Sequence, residues 1–291
     1  MSHPDFLCIG ARKAGTTWLH ENLSQHPEVW LPSQKELHYF DHRPPWLVER
    51  LFGRASHLRH ARWNLRDAAL SLGRGGSLAE LSWAARVCLL PRNDAWYQSL
   101  FPGDEERVTG EVCPGYARMG DAAVASVASL VPDVKVVYLV RDPIDCAWSS
   151  ATSHFFKKAG GVGVGRATPE EIERYLSKEN SVRHLRYAEN LEVWERHFPA
   201  EQILVSCYED LRSDSRGVFE RVCRFIGVSD ALVPDGVEVR RGGRVKVRGE
   251  VPERYRRLLA RLHLEELEKL DAGGRIPHSA QWLADARAAL A

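Results

Sequence analysis

The stretch from Phe6 to Leu23 narrows the choice of fold more than any other part of the chain. Phe6-Leu7-Cys8-Ile9 is a short apolar run closed by Gly10, the pattern of a strand buried on both faces. Thr16 then opens a segment with Trp18, Leu19 and Leu23 at helical spacing, stopped by His26-Pro27. The alternation continues. Val29-Trp30-Leu31, Val108 to Glu111, Val134 to Val140 and Ile203 to Tyr208 read as strands. Ala122 to Leu130, Pro143 to about Phe156, Gly217 to Ile226 and the chain from Pro252, broken at Gly273-Gly274, read as helices. Pro169 to Phe198 reads as one long helix or a helical pair. Strands alternating with helices predict an α/β fold with a central parallel sheet flanked by helices. Ligands of such sheets bind beyond the carboxyl ends of the strands. Gly10 to Thr17, Glu111 to Tyr116 and Arg141 to Ser149 fall at those ends.

With 291 residues, the chain has the length of one large α/β domain, and we expect a single domain over 1–291. Residues 44–104, with Trp46, Trp63, Trp83 and Trp96 between Arg-rich pieces, read as an insertion on the acceptor side. Forty basic and thirty-nine acidic residues leave a formal charge of +1, so bulk charge does not point to a nucleic-acid partner and an anion site must be local. No run approaches the ~18 apolar residues of a membrane span, and no secretory leader is read at the N-terminus. The six cysteines are scattered without a CxxC pair. They read as free thiols of a cytoplasmic protein, and no metal site is expected.

Gly10-Ala11-Arg12-Lys13-Ala14-Gly15-Thr16-Thr17 joins a strand to a helix. Two glycines five residues apart permit a tight loop whose N–H groups converge on an anion, and the helix adds its positive end. Lys13 adds a full charge, Thr16 and Thr17 hydroxyls. The loop differs from the nucleotide-triphosphatase pattern G-x-x-x-x-G-K-S/T. Thr16 stands where that lysine belongs, and the lysine is inside the loop at Lys13.

The run Gly-x-x-Lys-x-Gly-Thr-Thr-x-Leu, with His26-Pro27 downstream, resembles the sulfotransferases that use 3′-phosphoadenosine 5′-phosphosulfate (PAPS). The resemblance runs from Asp5 to about Gly227 and is weakest over 44–104. It implies a P-loop NTPase-like sulfotransferase fold. It also implies transfer of a sulfuryl group to an acceptor hydroxyl, with release of adenosine 3′,5′-bisphosphate (PAP). In the loop it assigns Lys13, Gly15, Thr16 and Thr17 to the 5′-phosphosulfate, with Arg12 and Ala14 completing the cup and Trp18 at its edge. Arg141 at the end of a strand and Ser149 eight residues on would take the 3′-phosphate. A planar guanidinium suits phosphate oxygens, and that spacing brings Ser149 to the face of the helix start. Arg141 could instead pair with Asp142 or Asp145. Arg241 and Gly242, in the basic stretch Arg240 to Arg248, match a loop that closes over the nucleotide.

Lys35-Glu36-Leu37-His38-Tyr39-Phe40-Asp41 resembles the K-E-x-H-(F/Y)-F segment of carbohydrate and many bacterial sulfotransferases. There the glutamate is the catalytic base. Glu36 would therefore take the acceptor proton, its pKa raised by partial desolvation among Trp30, Tyr39 and Phe40. His38 is the rival base or a positioning donor. Gly110-Glu111-Val112-Cys113-Pro114-Gly115-Tyr116 resembles the family's G-E-x-x-P-x-Y turn, with Val112 where some relatives carry lysine. Glu111 is a second cleft carboxylate or, as we favour, a structural one. The expected acceptor is a hydroxylated small molecule, a glycan or a carrier-bound intermediate; Arg54, Arg59, Arg62 and Arg66 are candidates to meet an acidic one. No metal is required, because Lys13 offsets charge on the leaving group. A P-loop kinase and a non-catalytic nucleotide binder of the same fold are the competing readings.

Overall fold

The computed structural model describes residues 3–41, 78–103, 106–158, 167–232 and 250–291. The expectations on Trp46, Trp63, Arg54, Arg59, Arg62, Arg66, Arg241 and Gly242 lie outside these residues. Five parallel strands form one sheet in the order β2-β3-β1-β4-β5. They are β1 (Phe6–Gly10), β2 (Val29–Trp30), β3 (Val108–Val112), β4 (Lys135–Val140) and β5 (Ile203–Cys207). Every residue of β1 is buried, and so is β4 beyond Lys135. Continuous apolar runs belong to parallel strands covered on both faces.

β1 lies between β3 and β4, with Leu7 beside Glu111 in one neighbour and Val136 in the other. The strand order reverses at β1, so a crevice opens where the loops after β1, β3 and β4 leave the sheet together.

The helices are α1 (Thr16–Leu23), α2 (Leu78–Leu89), α3 (Asp94–Ser99), α4 (Asp121–Leu130), α5 (Pro143–Lys158), α6 (Pro169–Leu176), α7 (Glu179–Arg183), α8 (Tyr187–Glu195), α9 (Tyr208–Ser213), α10 (Ser215–Ile226), α11 (Glu253–Gly273) and α12 (Ser279–Leu290). A 3-10 turn, Tyr116–Arg118, follows β3. No helix of the described residues is long and apolar enough to cross a membrane.

Two helical expectations change. The segment after Pro169 is three helices, not one or two. Its first is closed by a capping box between Thr168 and Glu171. Its third starts where Glu266, from α11, accepts the Ala188 N–H at 2.6 Å. A carboxylate 78 residues away thus stands in for a local cap. The helix expected from Gly217 begins at Ser215, because Asp214 accepts the Gly217 N–H at 2.9 Å. The separate helix α9 precedes it. All six cysteines are free, and all but Cys88 are buried.

Candidate active site

The loop after β1 is shaped by its backbone. Lys13 (φ 71°) and Gly15 (φ 98°) are both in the left-handed region, the kind of backbone from which anion-binding nests are built, and the Ala14 N–H closes the turn on the Ala11 carbonyl at 3.2 Å. Gly15 is needed twice. Its positive φ disfavours any side chain, and a Cβ there would meet Leu211 Cδ2 of α9 at 2.6 Å. Arg12, Lys13 and Thr17 are exposed, whereas Ala14 and Thr16 are buried. Lys13 Nζ donates to Ser153 Oγ of α5 at 2.6 Å. Trp18 faces the core, edge-on to Phe219 at 6.2 Å.

Arg141 leaves β4 directly against this loop. Its Nη1 lies 3.5 Å from the Lys13 carbonyl oxygen, and its guanidinium sits 4.6 Å over the Tyr208 ring. Its Nη2 is also paired with Asp145 at 3.0 Å. The cation is therefore both at the loop and partnered. Ser149 stands half-buried on α5, four residues before Ser153 and so on the same helical face. Cys146 donates its thiol to the Arg12 carbonyl at 2.9 Å, pinning the loop to α5.

The second half of the site is the segment 35–41, which follows β2. Glu36 (φ 63°) and His38 (φ 54°) are left-handed without being glycine, a strained state that needs outside support. Five groups supply it. Glu111 accepts the Leu37 N–H at 3.0 Å, and Tyr116 Oη accepts the Tyr39 N–H at 2.9 Å. Arg92 donates to the Leu37 and His38 carbonyls at 2.7 and 3.2 Å. The Tyr39 ring stacks on Tyr97 at 4.6 Å, and its hydroxyl donates to Asp94. Glu111 joins these supports, because the Tyr97 and Tyr116 hydroxyls donate to it at 2.7 and 3.0 Å. Burial drives its pKa up to about 7 against those hydrogen bonds. Gly115 lets the turn after β3 close on the segment; a Cβ there would lie 2.3 Å from Asp41 Oδ2 and 3.1 Å from His38 Cε1.

The supported segment presents a charged row. Glu36 Oε2 is 3.4 Å from His38 Nε2, and Asp41 Oδ2 is 2.8 Å from His38 Nδ1. Burial works against a charged His38, but its hydrogen bonds to Asp41, Cys113 and Glu36 raise its pKa and keep the imidazolium. For Glu36 burial pushes up, yet the His38 hydrogen bond and the charges of Lys35 and Arg12 prevail and lower its pKa. The raised value expected for Glu36 is thus corrected: three cations outweigh the desolvation. Lys35 joins the two halves, with Nζ 3.0 Å from Thr17 Oγ1 and 3.8 Å from Glu36 Oε1.

Sequence reasoning missed Ser153, Arg92 and Tyr97. Only Ser153 carried a local signal, one helical turn beyond Ser149.

Beyond His38, a cavity of about 510 Å³ is lined by Phe40, Asp41, Gly115, Arg118, Met119 and Arg183, among others. Among the described residues, two clusters have donor atoms within 4.8 Å of one another: His38 with Asp41 and Cys113, and Cys207 with Asp210 and His278. Internal pairing accounts for both. His278 meets Asp210 at 2.8 Å, Arg221 lies 3.9 Å from the other Asp210 oxygen, and burial pushes both thiols up to about 12.

The profile of the Sulfotransferase family matches residues 4–231. Human heparan sulfate glucosamine 3-O-sulfotransferase 3A1 is 31% identical over 228 residues, 77% of this chain and 44% of that protein. Human bifunctional heparan sulfate N-deacetylase/N-sulfotransferase 3 is 26% identical over 238 residues, 77% of this chain and 22% of that protein. The chain thus spans less than half the length of these curated relatives. A sulfotransferase from Alicyclobacillus acidocaldarius superposes with a TM-score of 0.65 at 25% identity, covering 97% of this chain and 99% of that one. The P-loop NTPase-like sulfotransferase fold expected from the loop is therefore the fold observed, and the chain belongs to the sulfotransferase family.

Proposed function

We propose that this chain is a PAPS-dependent O-sulfotransferase. One observation carries the reading: Lys35 spans from the phosphate-type loop at Thr17 to the carboxylate of Glu36, so donor and acceptor groups share one crevice. The residues suit the donor. The left-handed turn at Lys13 and Gly15 is the kind of backbone from which anion-binding nests are built, and Arg141 borders the same loop. PAPS, when bound, supplies the sulfuryl group and leaves as PAP. Lys13, with Arg12, Ala14, Gly15, Thr16 and Thr17, holds the 5′ end and offsets charge on the leaving oxygen. Arg141 and Ser149 take the 3′-phosphate, with Arg241 and Gly242 as further contacts. Little covalent work falls to the protein; positioning and charge do most of it.

Glu36 is the base. Its lowered pKa leaves it ionised at neutral pH, ready to accept the hydroxyl proton as the sulfur–oxygen bond forms. His38, kept as an imidazolium by Asp41 and Glu36, orients that carboxylate and does not compete for the proton. Glu111 is reserved for holding the segment. No metal has a part in this scheme. The six unlinked thiols suit a reducing compartment such as the cytoplasm.

The test has two parts. Calorimetry with PAP should show binding without magnesium, and transfer from labelled PAPS to a panel of hydroxylated acceptors should survive EDTA. Glu36→Ala should abolish transfer and keep PAP binding. A protein that ignores PAP, or consumes ATP instead, would remove the reading. A fully active Glu36→Ala would move the base elsewhere.

A further inference from the structure

The cavity beyond His38 has an unusual charge balance. Arg118, at the end of the turn after β3, and Arg183, at the end of α7, both line it. Arg118 is held by a neutral group, donating to Asn180 Oδ1 at 2.6 Å. Among the described residues no carboxylate lies within 4.0 Å of Arg118, Arg183 or the nearby Arg12. The acids close by are engaged elsewhere. Asp41 holds His38 at 2.8 Å, and Asp121, at the start of α4, pairs with Arg196 and His197 at 3.2 and 3.0 Å. Helix α4 also turns its N-terminal residues Gly120, Ala122 and Ala123 to the cavity, adding the positive end of its dipole.

His184 reports the resulting field. Burial first, then the charges of Arg118, Arg12 and Arg183, push its pKa down to about 4. The same field acts on Arg118, whose pKa is lowered by burial and by Arg12 and Arg183, with Asp41 opposing. Among the described residues, Asp41 is the one carboxylate lining the cavity, and it is held by His38. Guanidinium groups that outnumber the carboxylates beside them are held at an electrostatic cost that a bound anion would relieve.

The location matters as much as the charge. Asp41 lines the cavity and touches one nitrogen of His38, while Glu36 touches the other. One imidazole ring therefore separates the cavity wall from the base. The volume, about 510 Å³, is that of a small-molecule site, for which about 300–1,000 Å³ is usual.

We propose that this cavity is an anion subsite for the acceptor, in which Arg118 and Arg183 grip a carboxylate or sulfate of a sugar-sized molecule whose hydroxyl is presented to Glu36. The inference rests on the sulfotransferase reading above and names its acceptor class as acidic. The two arginines recognise the acceptor; they take no part in sulfuryl transfer.

The probes are 4-nitrophenyl β-D-glucuronide and 4-nitrophenyl β-D-glucoside, which share the aryl group and differ in a carboxylate. The PAP-loaded protein should bind the glucuronide at least about tenfold more tightly in calorimetry, the scale of charge-assisted hydrogen bonds. With labelled PAPS the same preference should appear in kcat/KM, carried by KM. In Arg118→Gln/Arg183→Gln the preference should fall to near unity while PAP affinity and the glucoside response stay unchanged. The His184 imidazole, followed by NMR, should titrate at higher pH with glucuronide bound. Equal or absent binding of the two glycosides, or a preference that survives in the double variant, overturns the acidic subsite. Loss of PAP binding by the unmodified protein would instead sink the parent reading, so the two failures are distinct. PAP affinity in the double variant also shows whether it is folded.

Discussion

The two walls of the crevice are built differently. The wall we assign to the donor, from Gly10 to Thr17, takes its shape from its own backbone: a left-handed Lys13, a left-handed Gly15 and the start of α1 within one short stretch. The wall we assign to the acceptor, from Lys35 to Asp41, is shaped by remote supports. Its left-handed Glu36 and His38 are kept in place by Arg92, Tyr97, Glu111 and Tyr116, all more than fifty residues away in sequence. The contrast teaches where each wall is vulnerable. The donor wall fails when a charge or a glycine is lost from the loop. The acceptor wall fails when a remote support is lost, even with every residue of the segment intact.

Four experiments break or sharpen this contrast. The largest effect is expected from Lys13→Ala. Removing a preorganised charge from the leaving group should lower the transfer rate by roughly 10²–10³, measured with labelled PAPS, and circular dichroism should be unchanged. Next is Glu111→Gln, which keeps the volume but asks an amide to replace an all-acceptor carboxylate beneath Leu37, Tyr97 and Tyr116. The transfer rate should fall roughly tenfold, about the worth of one hydrogen bond to a charged group, with PAP affinity unchanged in calorimetry. A normal rate would show that the acceptor wall stands without this support.

The third experiment uses the same variant as a pH probe. Glu111 in the folded protein keeps its proton up to about 7, whereas the unfolded chain releases it near 4.5. Between those values the folded state binds more protons, so Glu111 makes stability fall as pH rises, and the effect is flat outside that window. Melting curves of the parent protein from pH 4.5 to 7 should lose this slope in Glu111→Gln. Identical slopes would place the titration elsewhere. The smallest effect is expected on the donor side. Asp145→Asn removes the partner of Arg141, a pair whose arginine is 17% and whose aspartate is 36% exposed. Such part-exposed pairs contribute about 0.2–1 kcal/mol, so calorimetry should show PAP binding tightened by a few-fold at most. Weakened binding would mean that Asp145 orients Arg141 for the phosphate.

Legibility in the sequence follows the same division. β1, β4, the loop between β1 and α1, and the turn to Arg141 were readable because each is specified by residues next to one another: an apolar run, a glycine, a proline at a helix start. The position of Glu36 in the chain was readable from its motif, but its electrostatic state was not. Counting aromatic neighbours predicts a raised pKa; only the fold brings Lys35, Arg12 and the His38 imidazolium around it. The break of the segment after Pro169 into three helices was equally hidden, since one of its caps is Glu266.

The order of residues by itself determined the parallel α/β framework and the tight loop between β1 and α1, because hydrophobic period, glycine and capping act within a few residues of themselves. Only the tertiary structure decided how the Glu36 segment is held and which arginines surround its cavity. Hydrogen bonds and Coulomb forces depend on distance in space, and the chain brings Glu111, Arg92, Arg118 and Arg183 to that segment only by folding.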